Sequence, residues 1–266
     1  MLYLRILSAL IGIPIILGLV YLGGPFYALF LLLVANLGIL EYNNLLQSQD
    51  YQVPFLLNHL GVTLIIVLIF LGQQVLFFPS LILLFFFLFV AALFRMDRIS
   101  VADSALSMWG IIYIGGLLGY MLMLRLLPEG IIFTYILLGG VWIHDTIAYF
   151  IGINWGSHKF APQISPKKSV EGSLAGIIGT AVIFFIFALF YPDLIMLSPL
   201  KAIILATGIA VFSQIGDLLE SALKRQFQVK DSGELIPGHG GILDRFDSLM
   251  IAAPFVYYYF LLVNLF

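Results

Sequence analysis

Apolar runs long enough to cross a bilayer recur about nine times in this chain, and no other feature narrows its fold as much. A hydrocarbon core of roughly 30 Å takes about 20 helical residues, so a run of roughly 18 or more is a spanning candidate. The runs lie near residues 5–22, 25–46, 55–72, 75–94, 106–125, 131–152, 173–191, 199–218 and 249–266. The third is the weakest, interrupted by Gly61 and bounded by Asn58 and Gln73. A mean hydropathy of +1.11 with 62% hydrophobic residues excludes an ordinary soluble domain. The expected fold is therefore an all-α integral membrane protein of about nine transmembrane helices. The first run has a basic residue ahead of it, but its apolar block is long, no small-x-small site follows and a second run begins at once. It is read as a retained span, not a cleaved leader.

The basic residues set the orientation. With nine spans, Arg5, Arg95, Arg98, Lys159, Lys167, Lys168, Lys224, Arg225, Lys230 and Arg245 share one side, and only Arg125 and Lys201 take the other. Positive charge accumulates on the cytoplasmic side. The N-terminus is thus expected in the cytoplasm, the C-terminus outside, and the site at the cytoplasmic face. A net charge of −2 gives no argument for nucleic acid, and the absence of Cys excludes disulfides, thiolate metal sites and a Cys nucleophile. No pair of similar halves of the transporter kind is visible. Polar weight shifts toward the C-terminal half. Residues 1–130 read as an N-terminal transmembrane scaffold. Residues 131–266 read as the region that holds most of the unusual polar groups, with cytoplasmic loops at 153–173 and 219–248.

Unusual polar residues mark those loops. Asp217, Glu220, Ser221 and Lys224 fall at i, i+3, i+4 and i+7 and share one helix face. That face reads either as a solvated interfacial helix or as part of a site. Gly238, Gly240 and Gly241 break regular structure and would let backbone N–H groups approach an anion. Asp244 and Asp247 stand three apart at the expected start of the last helix, where a carboxylate serves equally as an N-terminal cap or as a ligand for Mg²⁺. Arg245 could pair with a carboxylate or hold a phosphate. His239, alone among glycines, reads as a hydrogen-bonded loop residue before it reads as a catalyst. In the first loop Ser165, Pro166, Lys167, Lys168 and Ser169 place two cations beside hydroxyls. Pro166 is expected to start a turn and Ser169 to cap the next helix. The lysines suit either anionic lipid headgroups or nucleotide phosphates. Asp145 lies inside an apolar run, which makes it a functional candidate or one member of a buried packing pair. Glu41, Asn43 and Asn44 end the second span and read as interfacial residues with no assigned role; His59 and His158 carry no firm signal.

Taken in order, Ser221, Lys224, Arg225, Lys230, Asp231, Gly233, Ile236, Pro237, His239, Gly240, Gly241, Asp244, Arg245 and Asp247 resemble the signature of the phosphatidate cytidylyltransferases, or CDP-diacylglycerol synthases. The stretch ISPKKSVEG is similar to that family's Ser-Pro-Lys-Lys-Thr-x-Glu-Gly, with Ser169 where Thr is usual, and Asp145 to Tyr149 fits its Asp-Thr-x-Ala-Tyr. The resemblance implies that CTP and phosphatidate give CDP-diacylglycerol and pyrophosphate, with Mg²⁺, at the inner membrane, in a protein that is often a homodimer. Asp217 and Asp244 are then the expected metal ligands, with Asp247 beside them. Lys167, Lys168, Lys224, Arg225 and Arg245 would hold phosphate oxygens. Asp145, Ser165, Ser169, Ser221, Lys230, His239, Gly240 and Gly241 complete the substrate-binding candidates. A CTP-dependent enzyme acting on an ether lipid or a polyprenol, or an ion-coupled transporter using Asp145, are the competing readings.

Overall fold

The structure is a computed structural model that describes residues 2–94, 99–192, 197–235 and 240–263. Ile236, Pro237 and His239 of the signature, and Arg95 and Arg98, lie outside the described residues. The helices are α1 (Leu2–Leu22), α2 (Gly24–Gln47), α3 (Phe55–Phe70), α4 (Phe77–Phe94), α5 (Val101–Gly110), α6 (Leu117–Leu126), α7 (Gly130–Trp155), α8 (Val170–Phe190), α9 (Pro199–Gln226) and α10 (Leu243–Val263). A π-helical turn, Ile111–Gly116, joins α5 to α6 in one continuous run of 26 residues.

Every apolar run of the sequence falls on one of these helices. Among the described residues seven are long and apolar enough to cross a membrane, and α3, at 16 residues, is shorter, as its interrupted sequence suggested. Several helices begin or end beyond their apolar runs. The run at 106–125 begins at Val101, because Ser100 and Asp103 form a reciprocal capping box there. Likewise α9 continues through the charged residues to Gln226. Apolar side chains face outward: Leu174, Ile178 and Val182 make an exposed stripe on α8, the surface a lipid environment covers.

The helical architecture carries one short addition, a hairpin in which β1 (Lys159–Ala161) and β2 (Ser165–Ser169) pair antiparallel, with Lys159 opposite Ser169 and Ala161 opposite Ser165. One expectation needs correcting there. Pro166 does not start a turn. It lies inside β2, and the reversal is at residues 162–164, where the Ile164 N–H donates to the Ala161 carbonyl at 3.1 Å. In a two-stranded hairpin both strands are edges, and a proline there loses no obligatory ladder bond.

The contacts divide the chain into two compact units, Met1–Leu126 with Phe227–Arg245, and Leu127–Gln226 with Phe246–Phe266. In the first, α2 buries Leu31, Ala35 and Ile39 and α3 buries Val62, Ile65, Ile66 and Ile69. Lipid supplies no hydrophobic drive between helices, so close packing and interhelical hydrogen bonds must hold them. Here Asn58 donates to Asn43 at 2.7 Å, and Asn36 donates to Thr63 at 3.1 Å. Asn43, expected at an interface, is fully buried.

In the second unit α7 and α8 are the most closely apposed helices. Ala148, Gly152 and Gly156 recur every four residues on α7 and at its end, and Gly172 and Gly176 do so on α8. A methyl group on Gly172 would sit 2.6 Å from the Ala148 carbonyl oxygen and 2.9 Å from the Gly152 Cα. The Glu-Gly ending of the SPKKSVEG stretch therefore supplies the smallness that lets two backbones touch. Against these helices α9 packs its small and polar face. α10 joins the unit through stacked rings, Phe133 with Phe260 and Phe212 with Phe255.

Candidate functional site

The hairpin and α9 bring the lysine motif to Asp217, one turn ahead of the second motif, within the second unit. Ser169 accepts a hydrogen bond from the Gly172 N–H at 3.2 Å and caps α8, as its position before the helix predicted. Fixing that residue fixes Lys168 beside it, and the Lys168 ammonium lies 2.6 Å from Asp217 Oδ2. Arg225, two turns along α9, donates from Nε to the Ile164 carbonyl at 3.1 Å and ties the hairpin tip to the same helix. Glu171 accepts from the His158 N–H at 3.1 Å and lies 2.6 Å from its Nδ1, which closes the open end of the hairpin.

The shared face expected on α9 is present. Ser221 donates to Asp217 at 3.3 Å and Lys224 to Glu220 at 3.3 Å, both one turn apart. Two more carboxylates adjoin this face. Asp247, on α10, is buried at 9% exposure and shares a hydrogen bond with Glu220, which is 2% exposed. Asp145, on α7, lies close enough to interact with the charges of Asp217 and Asp247, with the Ser213 hydroxyl 3.5 Å away. Gly216 lets α10 approach, since a Cβ there would meet the Asp247 carbonyl oxygen at 2.5 Å and the Ser248 Cα at 2.9 Å. Lys168 and Lys224 each hold one carboxylate; among the described residues Asp145 and Asp247 have no ion pair. Carboxyls crowded together without matching cations must share protons or attract a cation. Lys167 and Ser165 complete this unit's candidates, Lys167 exposed and Ser165 half-buried.

The other candidates belong to the first unit and surround a tight turn. Asp244 is 8% exposed, and its Oδ2 accepts from the Ser232 N–H at 2.8 Å, the Ser232 hydroxyl at 3.0 Å and the Gly241 N–H at 2.9 Å. Gly240 has φ +79°, and a Cβ there would stand 2.7 Å from the same carboxylate oxygen. A left-handed conformation against a carboxylate admits only glycine at little cost. Gly241 does bring its backbone amide to an anion, and that anion in this structure is the protein's own Asp244 carboxylate. Lys230 and Arg245 are exposed on the same unit.

Sequence reasoning missed Glu41. It is buried, 3% exposed, and it accepts from the Ile242 N–H at 2.8 Å, the Leu243 N–H at 3.0 Å and the Ser232 hydroxyl at 3.1 Å. The one available signal was a lone carboxylate closing an apolar run, a costly residue to keep there.

A lysine-bearing hairpin clamped to a carboxylate-rich helix end, set in a bundle of apolar helices, is the equipment of a multi-pass membrane protein that handles polyanions. The chain belongs to the cytidylyltransferase family, whose profile matches residues 3–263. It is similar to the phosphatidate cytidylyltransferase of Staphylococcus saprophyticus subsp. saprophyticus, 36% identical over 252 residues that cover 94% of this chain and 95% of that protein. Proteins of the same name from Staphylococcus haemolyticus and Staphylococcus aureus strain COL are 36% and 33% identical, with 94% of this chain and 95% of each relative covered.

Proposed function

We propose that this nucleotidyltransferase moves the cytidylyl group of CTP onto phosphatidate, releasing pyrophosphate and leaving CDP-diacylglycerol in the membrane. The reading places the reaction at the cytoplasmic face of the plasma membrane. The observation that carries it is the 2.6 Å pair between Lys168 and Asp217, which brings the lysine motif to the helix on which the second motif begins.

The chemistry follows from charge. An ionised oxygen of the lipid phosphate attacks the α-phosphorus of CTP; that O–P bond forms, and the bond to the bridging oxygen of pyrophosphate breaks. The attacking oxygen is already anionic at neutral pH, since a phosphate monoester loses its second proton near pH 6. No side chain has to remove a proton. Repulsion between two polyanions is the obstacle, and positioned cations are the main remedy. Lys168 and Lys224 are held by carboxylates before substrate arrives, so they stand ordered where phosphate oxygens can take over those contacts. Lys167 and Arg225 extend the positive edge toward the hairpin.

The donor set fits Mg²⁺, which needs only one or two carboxylates and fills its shell with water and substrate phosphates. Among the described residues no three carboxylate or imidazole groups converge as ligands for one ion. The fit rests on the crowding of Asp145 and Asp247 beside Asp217, three carboxyls against the two ammonium groups of Lys168 and Lys224. Asp217 and Asp247 would hold the ion from this unit, and Asp244 is the further candidate. When bound, the ion would polarise the α-phosphate and steady the departing pyrophosphate.

Transfer of label from α-³²P CTP into chloroform-soluble lipid, by purified protein in detergent with phosphatidate and Mg²⁺, tests the proposal. Label recovered as CDP-diacylglycerol is expected. Label carried only by an ether-linked or polyprenyl phosphate would change the substrate, and no lipid label from any acceptor would overturn the reading.

A further inference from the structure

Glu41 belongs to α2, in the part of the chain that reads as scaffold, yet all three of its hydrogen-bond donors lie in or beside the signature turn. Its environment is unusual for a buried carboxylate. Among the described residues no Lys, Arg or His reaches it within ion-pair distance. Two consecutive main-chain amides and one hydroxyl carry its charge instead. The surrounding glycines leave the room it occupies. A Cβ on Gly233 would stand 2.6 Å from Glu41 Oε1, and one on Gly241 would overlap both Glu41 Oε2 and the Ser232 hydroxyl oxygen.

The link to the reaction runs through Ser232. Its single hydroxyl proton faces two carboxylates, Glu41 Oε2 at 3.1 Å and Asp244 Oδ2 at 3.0 Å. Its N–H and that of Gly241 also bind Asp244. Glu41 thus fixes the main-chain path from Gly241 to Leu243, and through Ser232 it fixes the Asp244 side chain. We propose that Glu41 is a positioning residue for cytidylyl transfer: it holds the signature turn and sets the orientation of Asp244. This rests on the function proposed above. It adds a residue that carries no part of either motif and whose partners lie 191 to 202 residues away in the chain.

Glu41→Gln is the discriminating variant because it keeps the shape. Oε1 accepts from Ile242 and Oε2 from Leu243 and Ser232. Whichever way the amide is turned, its NH₂ faces a buried N–H, and at least one charge-assisted bond is lost. In the full-length protein in detergent, hydrogen exchange of the 240–243 amides is expected to accelerate about tenfold, the equivalent of one such bond. In the transfer assay the half-saturating Mg²⁺ concentration is expected to rise by a similar factor. A purely structural role would reduce the amount of active enzyme and scale the rate at every Mg²⁺ concentration without moving half-saturation. Wild-type exchange and wild-type half-saturation in a folded variant would overturn the proposal. Should Glu41→Gln fail to fold, Ser232→Ala decides, since it removes only the shared hydroxyl; an unmoved half-saturation there is equally fatal. If the wild type transfers nothing, the functional reading fails on its own, and the exchange data still report whether Glu41 holds the turn.

Discussion

Gly172→Ala offers a sharp test of how α7 and α8 are held together. The added methyl would lie 2.6 Å from the Ala148 carbonyl oxygen, 2.9 Å from the Gly152 Cα and 3.1 Å from the Gly152 nitrogen. All three are main-chain atoms, so no side chain can swing aside and the helices must separate. Overpacking of this kind costs about 1–3 kcal/mol. Alanine's better helix propensity returns up to about 1 kcal/mol, but a control substitution at an open glycine shares that gain, so the overpacking cost is the difference between the two. For a chain this size each kcal/mol is worth about 2–4 °C, so the midpoint should lie roughly 2–12 °C below that of such a control. The matching control is Gly139→Ala on α7, where nothing lies within 4 Å of the new methyl. Only the propensity gain acts there, and the midpoint should hold or rise. Thermal unfolding of the three proteins in one detergent, at one scan rate, makes the comparison. A Gly172→Ala protein as stable as the Gly139→Ala control would refute close backbone packing as the reason for that glycine.

Ser169→Ala removes the cap on α8 and should cost about 1 kcal/mol, seen as a lower midpoint with faster hydrogen exchange at the Gly172 amide. The Lys168–Asp217 pair is partly exposed, with side-chain accessibilities of 22% and 39%. A double-mutant cycle with Lys168→Met and Asp217→Asn should therefore give a stability coupling of about 1 kcal/mol or less, shrinking as salt is added. In the transfer assay the same single changes should act far more strongly, with Asp217→Asn lowering turnover about a hundredfold or more. Loss of stability without loss of turnover would recast the pair as a structural clamp.

The bundle was legible because hydrocarbon thickness imposes a length that apolar runs display directly. Helix ends past the apolar runs were legible where polar residues marked them: Asp217, Glu220, Ser221 and Lys224 share the face that carries α9 on to Gln226, and Asp244 and Asp247 mark the start of α10. Ser100 and Asp103 show that a capping box can announce such an end, and Ser169 announced its own. The hairpin could not be read, since Ser165 to Ser169 lacks the alternation of apolar and polar residues that marks a strand. Lys168 was singled out by motif and Asp217 by its place on a polar helix face, but their pairing depends on a hairpin geometry that no spacing encodes. Glu41 stayed hidden for a related reason. Nothing local distinguishes it from an interfacial glutamate, and only the fold brings the signature turn to it.

The most direct measurement is pyrophosphate release by the purified full-length protein in mixed micelles, with CTP, phosphatidate and Mg²⁺ each omitted in turn and ATP substituted for CTP. The account predicts release only when all three are present, little with ATP, and loss of release in Asp217→Asn at unchanged thermal stability. Release that persists without lipid, or an Asp217→Asn protein that turns over normally, would contradict it.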